Sequence, residues 1–370
     1  MSGDLRQPPA GLAADGLSPD RGDAEPVRGP ADGGRGHLNL PAGIDEAWLP
    51  VALSHEVGAK PHGVKVAGVP VVLWRGREGL KAFLDRCPHR NYPLSAGRVE
   101  DGQLVCAYHG WAFTGDGGCA HVPGCAAGDL SRLKAETVGV AEWQGMIFVS
   151  LKPQVPFTDG LPPIPDGPDY DHFWWAMKPQ RARVFDALDN VLDPFHTNFI
   201  HDGLIRVSHR RQTVEQTIET FENGFEATYI QNTDYGWMSR ALEGKRARSR
   251  GRYFPPVAFQ GRWEGPEKLN LCTTIWFVPQ DAHTIRPMAR FTTLKSRGPA
   301  WLKEAAIRLF LFRVIDQDAD ALTKLHDNIA AFGGPKFRAG PGDRLGDKLM
   351  RLYTGGKLVP EVLGPFHMEL

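Results

Sequence analysis

Residues 87–97, CPHRNYPLSAG, and residues 106–111, CAYHGW, decide how this 370-residue chain is read. Each stretch sets one thiolate and one imidazole in a tight loop: Cys87 with His89, then, after 16 intervening residues, Cys106 with His109. A zinc ion also takes two cysteines and two histidines, in tetrahedral geometry. Common zinc fingers pair cysteine with cysteine and histidine with histidine, whereas each loop here alternates. Alternation suits a two-iron, two-sulfide centre in which two cysteines hold one iron and two histidines the other. Exchanging two thiolates for imidazoles raises the reduction potential into a range suited to passing electrons onward.

Working outward, residues 64–66, 69–74 and 80–84 are short β-rich runs broken at Gly68 and at 76–79, the pattern of an antiparallel meander. Residues 48–53 form the first run able to enter a core, and 145–150 is a further β-rich run. The proline-rich stretch 152–168 reads as a semi-rigid linker. Residues 1–37 hold hardly any large apolar side chains, so burial cannot offset their ordering entropy and the segment reads as disordered. Past the linker, residues 183–201 read as a helical segment, 217–221, 225–230 and 271–278 as strands, and 300–331 as one long helix. The expected organisation is a tail (1–37), a cluster domain (38–152), a linker (153–169) and a catalytic domain (170–370). There is no internal repeat. The fold class is α+β.

A second constellation lies in residues 189–201, DNVLDPFHTNFIH. His196 and His201 with one carboxylate would make a 2-His-1-carboxylate facial triad, which leaves one face of an iron open to dioxygen and substrate. The carboxylate candidates are Asp316, Asp318 and Asp320. On the helix the apolar stripe Leu311, Val314, Ile315, Leu322, Leu325 and Ile329 centres on Asp318. Asp316 and Asp320 fall about 200° away. A carboxylate in an apolar face is costly unless paired, and a metal would pair it. Five residues turn a regular helix by about 140°, so the segment carrying His196 and His201 must contain a break. Asp193 and His196, three apart, can face the same way. A carboxylate bonded to a ligating imidazole fixes its tautomer, and a helix-capping role before Pro194 stays open.

On these motifs the chain resembles the Rieske non-haem iron oxygenases, specifically their α (oxygenase) subunits, from about Trp48 to about Ile329. It is most similar in style to the vanillate O-demethylase, pheophorbide a oxygenase and 3-ketosteroid 9α-hydroxylase members. The resemblance implies an N-terminal all-β Rieske [2Fe–2S] domain and a C-terminal antiparallel sheet with helices, a helix-grip-like catalytic domain. It implies one [2Fe–2S] cluster on Cys87, His89, Cys106 and His109, and one mononuclear ferrous ion on His196, His201 and Asp318. It also implies that Asp193 links His196 to His109 of the partner subunit in a cyclic homotrimer, and that Asn190 stands beside the iron. The activity implied is hydroxylation or oxidative demethylation, with dioxygen, of a largely apolar aromatic or polycyclic substrate. No G-x-G-x-x-G follows a strand, so electrons are expected from a separate ferredoxin or NAD(P)H-dependent reductase.

Other readings are a ring-cis-dihydroxylating dioxygenase, a Rieske electron carrier with a non-catalytic extension, and a zinc-binding structural protein. The candidate triad beyond the cluster region weighs against the carrier, and the alternating loops weigh against zinc. Lys plus Arg and Asp plus Glu number 43 each, so no net field attracts nucleic acid or a membrane surface. No apolar run reaches the ~18 residues of a membrane span, and the N-terminal residues lack the regions of a secretory signal. Five cysteines at metal-like spacings fit a reducing compartment, so a cytoplasmic location is expected. Cys119, Cys125 and Cys272, and His55, His62, His172, His209 and His326, read as ordinary surface or core residues. Trp237, Phe254, Phe259, Trp263, Trp276 and Phe277 could line a pocket, though sheet core is the better reading for most. The basic run 245–252 reads as a solvated loop.

Overall fold

In the computed structural model, which describes residues 40–124, 129–206, 212–230, 247–295 and 298–370, the chain begins as three small antiparallel sheets. The tail 1–37, Cys125, His209, Trp237 and the start of the basic run lie outside the described residues. His62–Val66, Val69–Gly76 and Gly79–Leu84 form the expected meander. Leu49–Leu53 pairs with the hairpin Gly139–Trp143/Met146–Ser150, and four short strands between Arg98 and His121 make the third sheet. The turns at Ala67-Gly68, Asp101-Gly102 and Gln144-Gly145 all place two successive residues at positive φ. That is the two-residue hairpin geometry whose twist matches the flanking strands.

The second half is a nine-stranded antiparallel sheet. Its order is Tyr170–Ala176, Thr284–Leu294, Leu269–Pro279, Ala258–Glu264, Arg248–Phe254, Gly224–Ile230, Thr213–Phe221 and Glu361–Glu369, with Gln180–Arg181 also on Thr284–Leu294. Three α-helices lie among the described residues: α1 (Val184–Leu192), α2 (Ala300–Ala331) and α3 (Gly346–Tyr353). α1 packs on the central strands, and both α2 and α3 touch α1. The α+β class expected from the sequence is observed. No helix among the described residues is long and apolar enough to cross a membrane.

One apolar cluster joins the two halves, from Val71 and Phe148 through Trp174 and Trp276 to Phe185 and Leu188 of α1. Arg290, buried in the large sheet, donates to the Gln144 side-chain oxygen and lies 4.7 Å from the centre of the Trp143 ring. Trp174 Nε1 donates to the Gln144 carbonyl (3.0 Å), so the Gln144-Gly145 turn is fastened to the sheet. The proline-rich stretch runs along this seam. Its Val155 carbonyl accepts from Trp48 Nε1 (3.0 Å), and its Pro163 carbonyl from Gln260 Nε2 (2.9 Å).

The break required between the helical start of 183–201 and its histidines is present: α1 stops at Leu192, because Asp193 is extended before Pro194, and a 3₁₀ turn follows at His196–Asn198. Two expectations are corrected. The apolar stripe of α2 does not include Leu325, which is exposed. His326 is buried instead, against His283. From Arg248 onward the basic run is strand rather than loop. Arg250 pairs with Glu226 (3.0 Å), and Arg252 stacks on Phe221 and Phe254 at 4.5 and 4.6 Å.

Candidate functional site

The two cysteine loops share one backbone design that the sequence, lacking a repeat, does not reveal. Cys87 N–H donates to the Tyr92 carbonyl (2.9 Å) and Asn91 N–H to the Cys87 carbonyl (2.8 Å). In the second loop Cys106 N–H donates to Trp111 (2.9 Å) and Gly110 N–H to Cys106 (3.0 Å). The closing residues Asn91 and Gly110 sit at φ 58° and 72°, a region that asparagine and glycine enter at least cost. Each loop thus turns its cysteine inward. Cys87 and Cys106 are buried with Val72, Phe83, Leu94 and Phe113, while His109 and Tyr108 reach the surface.

The imidazoles lie together, with the His89 and His109 rings 4.5 Å apart. His89 is stacked flat on Trp111 at 4.5 Å, and its buried Nδ1 has no hydrogen-bond partner. The two thiols neighbour each other as well; burial, with Cys106 adding to it, pushes the Cys87 thiol up to about 11. Near neutral pH such a thiol becomes a thiolate only on binding a metal. A single tetrahedral ion would gather all four donor atoms within about 4 Å of one another. Among the described residues, the only three His, Cys, Asp or Glu donor atoms gathered within 4.8 Å are elsewhere. A thiol pair and an imidazole pair supply the donors that a binuclear cluster takes, two on each iron.

That other group is His196, His201 and Asp318. α1 delivers the first two. The buried bidentate pair of Arg183 with Asp186 (2.8 and 2.6 Å) anchors its first turn. After Pro194 the Asp193 carboxylate accepts from the Phe195 N–H (2.8 Å) and the His196 N–H (3.2 Å). Asp193 therefore does cap the turn that carries His196. The break between the two histidines brings their rings to 5.2 Å. α2 supplies Asp318, half-buried, while Asp316 and Asp320 are exposed.

Hydrogen bonds orient both imidazoles. His196 Nδ1–H donates to the backbone carbonyl of Asp193 (2.6 Å), and His201 Nδ1–H to Gln317 Oε1 (2.9 Å). Each Nε2 faces Asp318 Oδ1, at 3.8 Å for His196 and 3.1 Å for His201, and a neutral ring with its proton on Nδ1 would offer the Nε2 lone pair to a metal placed between them. Donors on adjacent corners of one octahedral ion, bonded at ~2.1 Å, stand about 3 Å apart, so this donor set fits a metal. Asn190 Nδ2 donates to the same Asp318 oxygen (3.1 Å). Burial draws the His201 pKa down, but the Asp318 carboxylate and the Gln317 oxygen outweigh it and hold the group above the ordinary value. For His196 burial wins over Asp318 and Asp193, and the pKa is lowered. The resemblance implies an Asp193–His196 bond; it is the Asp193 carbonyl that takes it, and the carboxylate lies 4.0 Å from His196 Nδ1. No sequence signal marks Gln317 as the partner of His201.

Of the aromatic residues considered for a pocket, Phe259, Trp276 and Phe277 are buried in the core, and Phe254 and Trp263 are half-buried. On the sheet face that packs against α1 and α2, Ala227, Gly251, Gly261 and Thr273 lie in register across four strands. A Cβ on Gly261 would meet the Trp263 ring at 2.7 Å, and one on Gly251 the Phe259 ring at 3.2 Å. The glycines leave room for these two rings close over the strands.

Residues 47–143 match the Rieske [2Fe-2S] domain, and residues 182–344 match the vanillate O-demethylase oxygenase C-terminal domain. The chain is 33% identical to pheophorbide a oxygenase, chloroplastic, of Arabidopsis thaliana over 172 residues, 42% of this chain and 32% of that protein. It is 30% identical to the oxygenase component of dicamba O-demethylase of Stenotrophomonas maltophilia over 169 residues, 43% of this chain and 48% of that protein. The chain spans less than half the length of the curated relatives it matches. A crystal structure of dicamba monooxygenase bound to dicamba shares the fold, with a TM-score of 0.68 at 20% identity over 83% of this chain and 96% of that one.

Proposed function

The chain belongs to the Rieske oxygenase α subunits, and from that premise we propose that it is the oxygenase component of a multicomponent system. In the overall reaction dioxygen, two electrons and two protons convert a substrate C–H bond to C–OH and release water. On a methyl carbon attached to oxygen or nitrogen, the product then collapses and the methyl group is lost. The electrons come from a separate ferredoxin or NAD(P)H-dependent reductase. When bound, the [2Fe–2S] cluster supplies single electrons and the non-haem iron supplies dioxygen activation.

In this reading Cys87 and Cys106 hold one cluster iron and His89 and His109 the other. His196, His201 and Asp318 hold the mononuclear iron, and Asn190 steadies Asp318 by donating to its carboxylate. The Asp193 carbonyl keeps the proton on His196 Nδ1. Its carboxylate, 39% exposed, faces outward toward His109 of the partner subunit in a homotrimer. The division into tail 1–37, Rieske domain 38–152, linker 153–169 and catalytic domain 170–370, and a cytoplasmic location, belong to the same proposal. The similarity to pheophorbide a oxygenase and to the oxygenase component of dicamba O-demethylase supports an apolar aromatic or polycyclic substrate.

The observation that carries the proposal is the convergence of His196 Nε2, His201 Nε2 and Asp318 Oδ1. The test is the iron, zinc and acid-labile sulfide content of anaerobically purified protein. Three irons and two sulfides per chain are expected. Two irons and two sulfides, with no third iron taken up on adding ferrous salt, would leave an electron carrier. Zinc without sulfide would end the proposal.

A further inference from the structure

Gln317 sits beside Asp318 on α2, about 100° round the helix from it. That offset aims the two side chains at different targets. Asp318 faces the imidazole Nε2 atoms and Asn190, while the Gln317 amide oxygen reaches the far side of the His201 ring at 2.9 Å. The His201 side chain is 1% exposed, so bulk water cannot replace that acceptor. A buried imidazole N–H with no acceptor is costly. Without Gln317 the ring would be free to flip or change tautomer, and its Nε2 would no longer be held toward the place a metal would take beside Asp318. His196 differs here: its acceptor is the Asp193 backbone carbonyl, which no substitution at Asp193 removes.

We infer that Gln317 is a positioning residue for the mononuclear iron, setting the tautomer and orientation of His201. This rests on the assignment of His196, His201 and Asp318 as iron ligands. Two neighbouring residues of one helix turn would then supply a ligand and the support of a second ligand. Any shift of α2 would disturb both together.

The test compares ferrous ion binding and the electron paramagnetic resonance of the nitric oxide adduct of the ferrous site in wild type, Gln317→Leu, Gln317→Asn and Gln317→Glu. Loss of such a support typically weakens metal affinity by about 10–100-fold. Gln317→Leu, which removes the acceptor, and Gln317→Asn, which shortens its reach, should both lose affinity in that range and broaden the adduct spectrum. Gln317→Glu should restore affinity, since a carboxylate oxygen accepts in the same place. The visible spectrum of the Rieske cluster serves as the control for folding, and where Gln317→Leu fails it, Gln317→Asn and Gln317→Glu decide. Wild-type affinity and an unchanged adduct spectrum in a folded Gln317→Leu or Gln317→Asn protein would overturn the inference. A wild type that takes up no third iron would instead overturn the ligand assignment beneath it.

Discussion

Cys87, His89, Cys106 and His109 stand on two loops that follow each other closely in the chain, each closed by its own pair of backbone hydrogen bonds. The histidine–aspartate site is assembled across a long interval. Asn190 and Asp318, bonded to each other, are 128 positions apart, and their meeting depends on α2 docking beside α1. The first site needs only local turns over a small core of its own. The second needs the large sheet to form and hold two helices, which pays the entropy of a much longer loop closure. The two sites should therefore fail separately.

The sharpest way to break that comparison is to remove one ligand from each. His201→Ala should reduce turnover to background while leaving the cluster's visible spectrum intact. Cys106→Ala should erase that spectrum while ferrous ion still binds at the second site. Loss of both metals from either variant, measured by metal content and absorption, would show that the sites are one cooperative unit. A smaller effect is expected at the proposed link between them. Asp193→Asn keeps the carbonyl that orients His196, so both metals should remain bound. Single-turnover oxidation of the reduced cluster should slow by roughly 10–100-fold, and unchanged stopped-flow kinetics would remove the carboxylate from the electron path.

Gly261→Val acts on the second region alone. The added side chain must displace the Trp263 ring, an overpacking that costs about 1–3 kcal/mol. Urea midpoints should fall and KM for an apolar aromatic substrate should rise, with the cluster spectrum unaltered. The smallest effect concerns Asp189, a residue that reaches the surface although its carboxyl is crowded. Burial first, then Asp193, Asp186 and Asp343, push it up to about 6. A raised carboxyl pKa means the native state holds the proton more tightly than the unfolded chain. Stability from this group is thus present below the ordinary pKa near ~4 and is lost as pH rises through 6. Asp189→Asn should raise Tm at pH 7–8 and make no difference near pH 4.

Much of this was legible because it depends on near neighbours in the chain. Alternating cysteine and histidine at loop spacing, the breaks at Gly68 and 76–79, and the 3.6-residue stripe of 300–331 are local signals. The stripe was enough to single out Asp318 over Asp316 and Asp320, and α2 spans Ala300–Ala331 with the latter two exposed. The same stripe misled at Leu325, where the helix meets His283 rather than the apolar sheet. Periodicity gives the direction of a side chain and not what waits there.

The sequence by itself determined which residues could hold two metal centres, and on which kinds of element, because ligand chemistry and helical or strand period are properties of short stretches. Only the tertiary structure decided the partners. A carbonyl rather than a carboxylate holds His196, Gln317 holds His201, Asn190 holds Asp318, and Arg290 ties Gln144 to the sheet. Each of these bonds except that of His196 joins residues more than a hundred positions apart. Such pairings follow from how helices and strands dock, which no local pattern encodes.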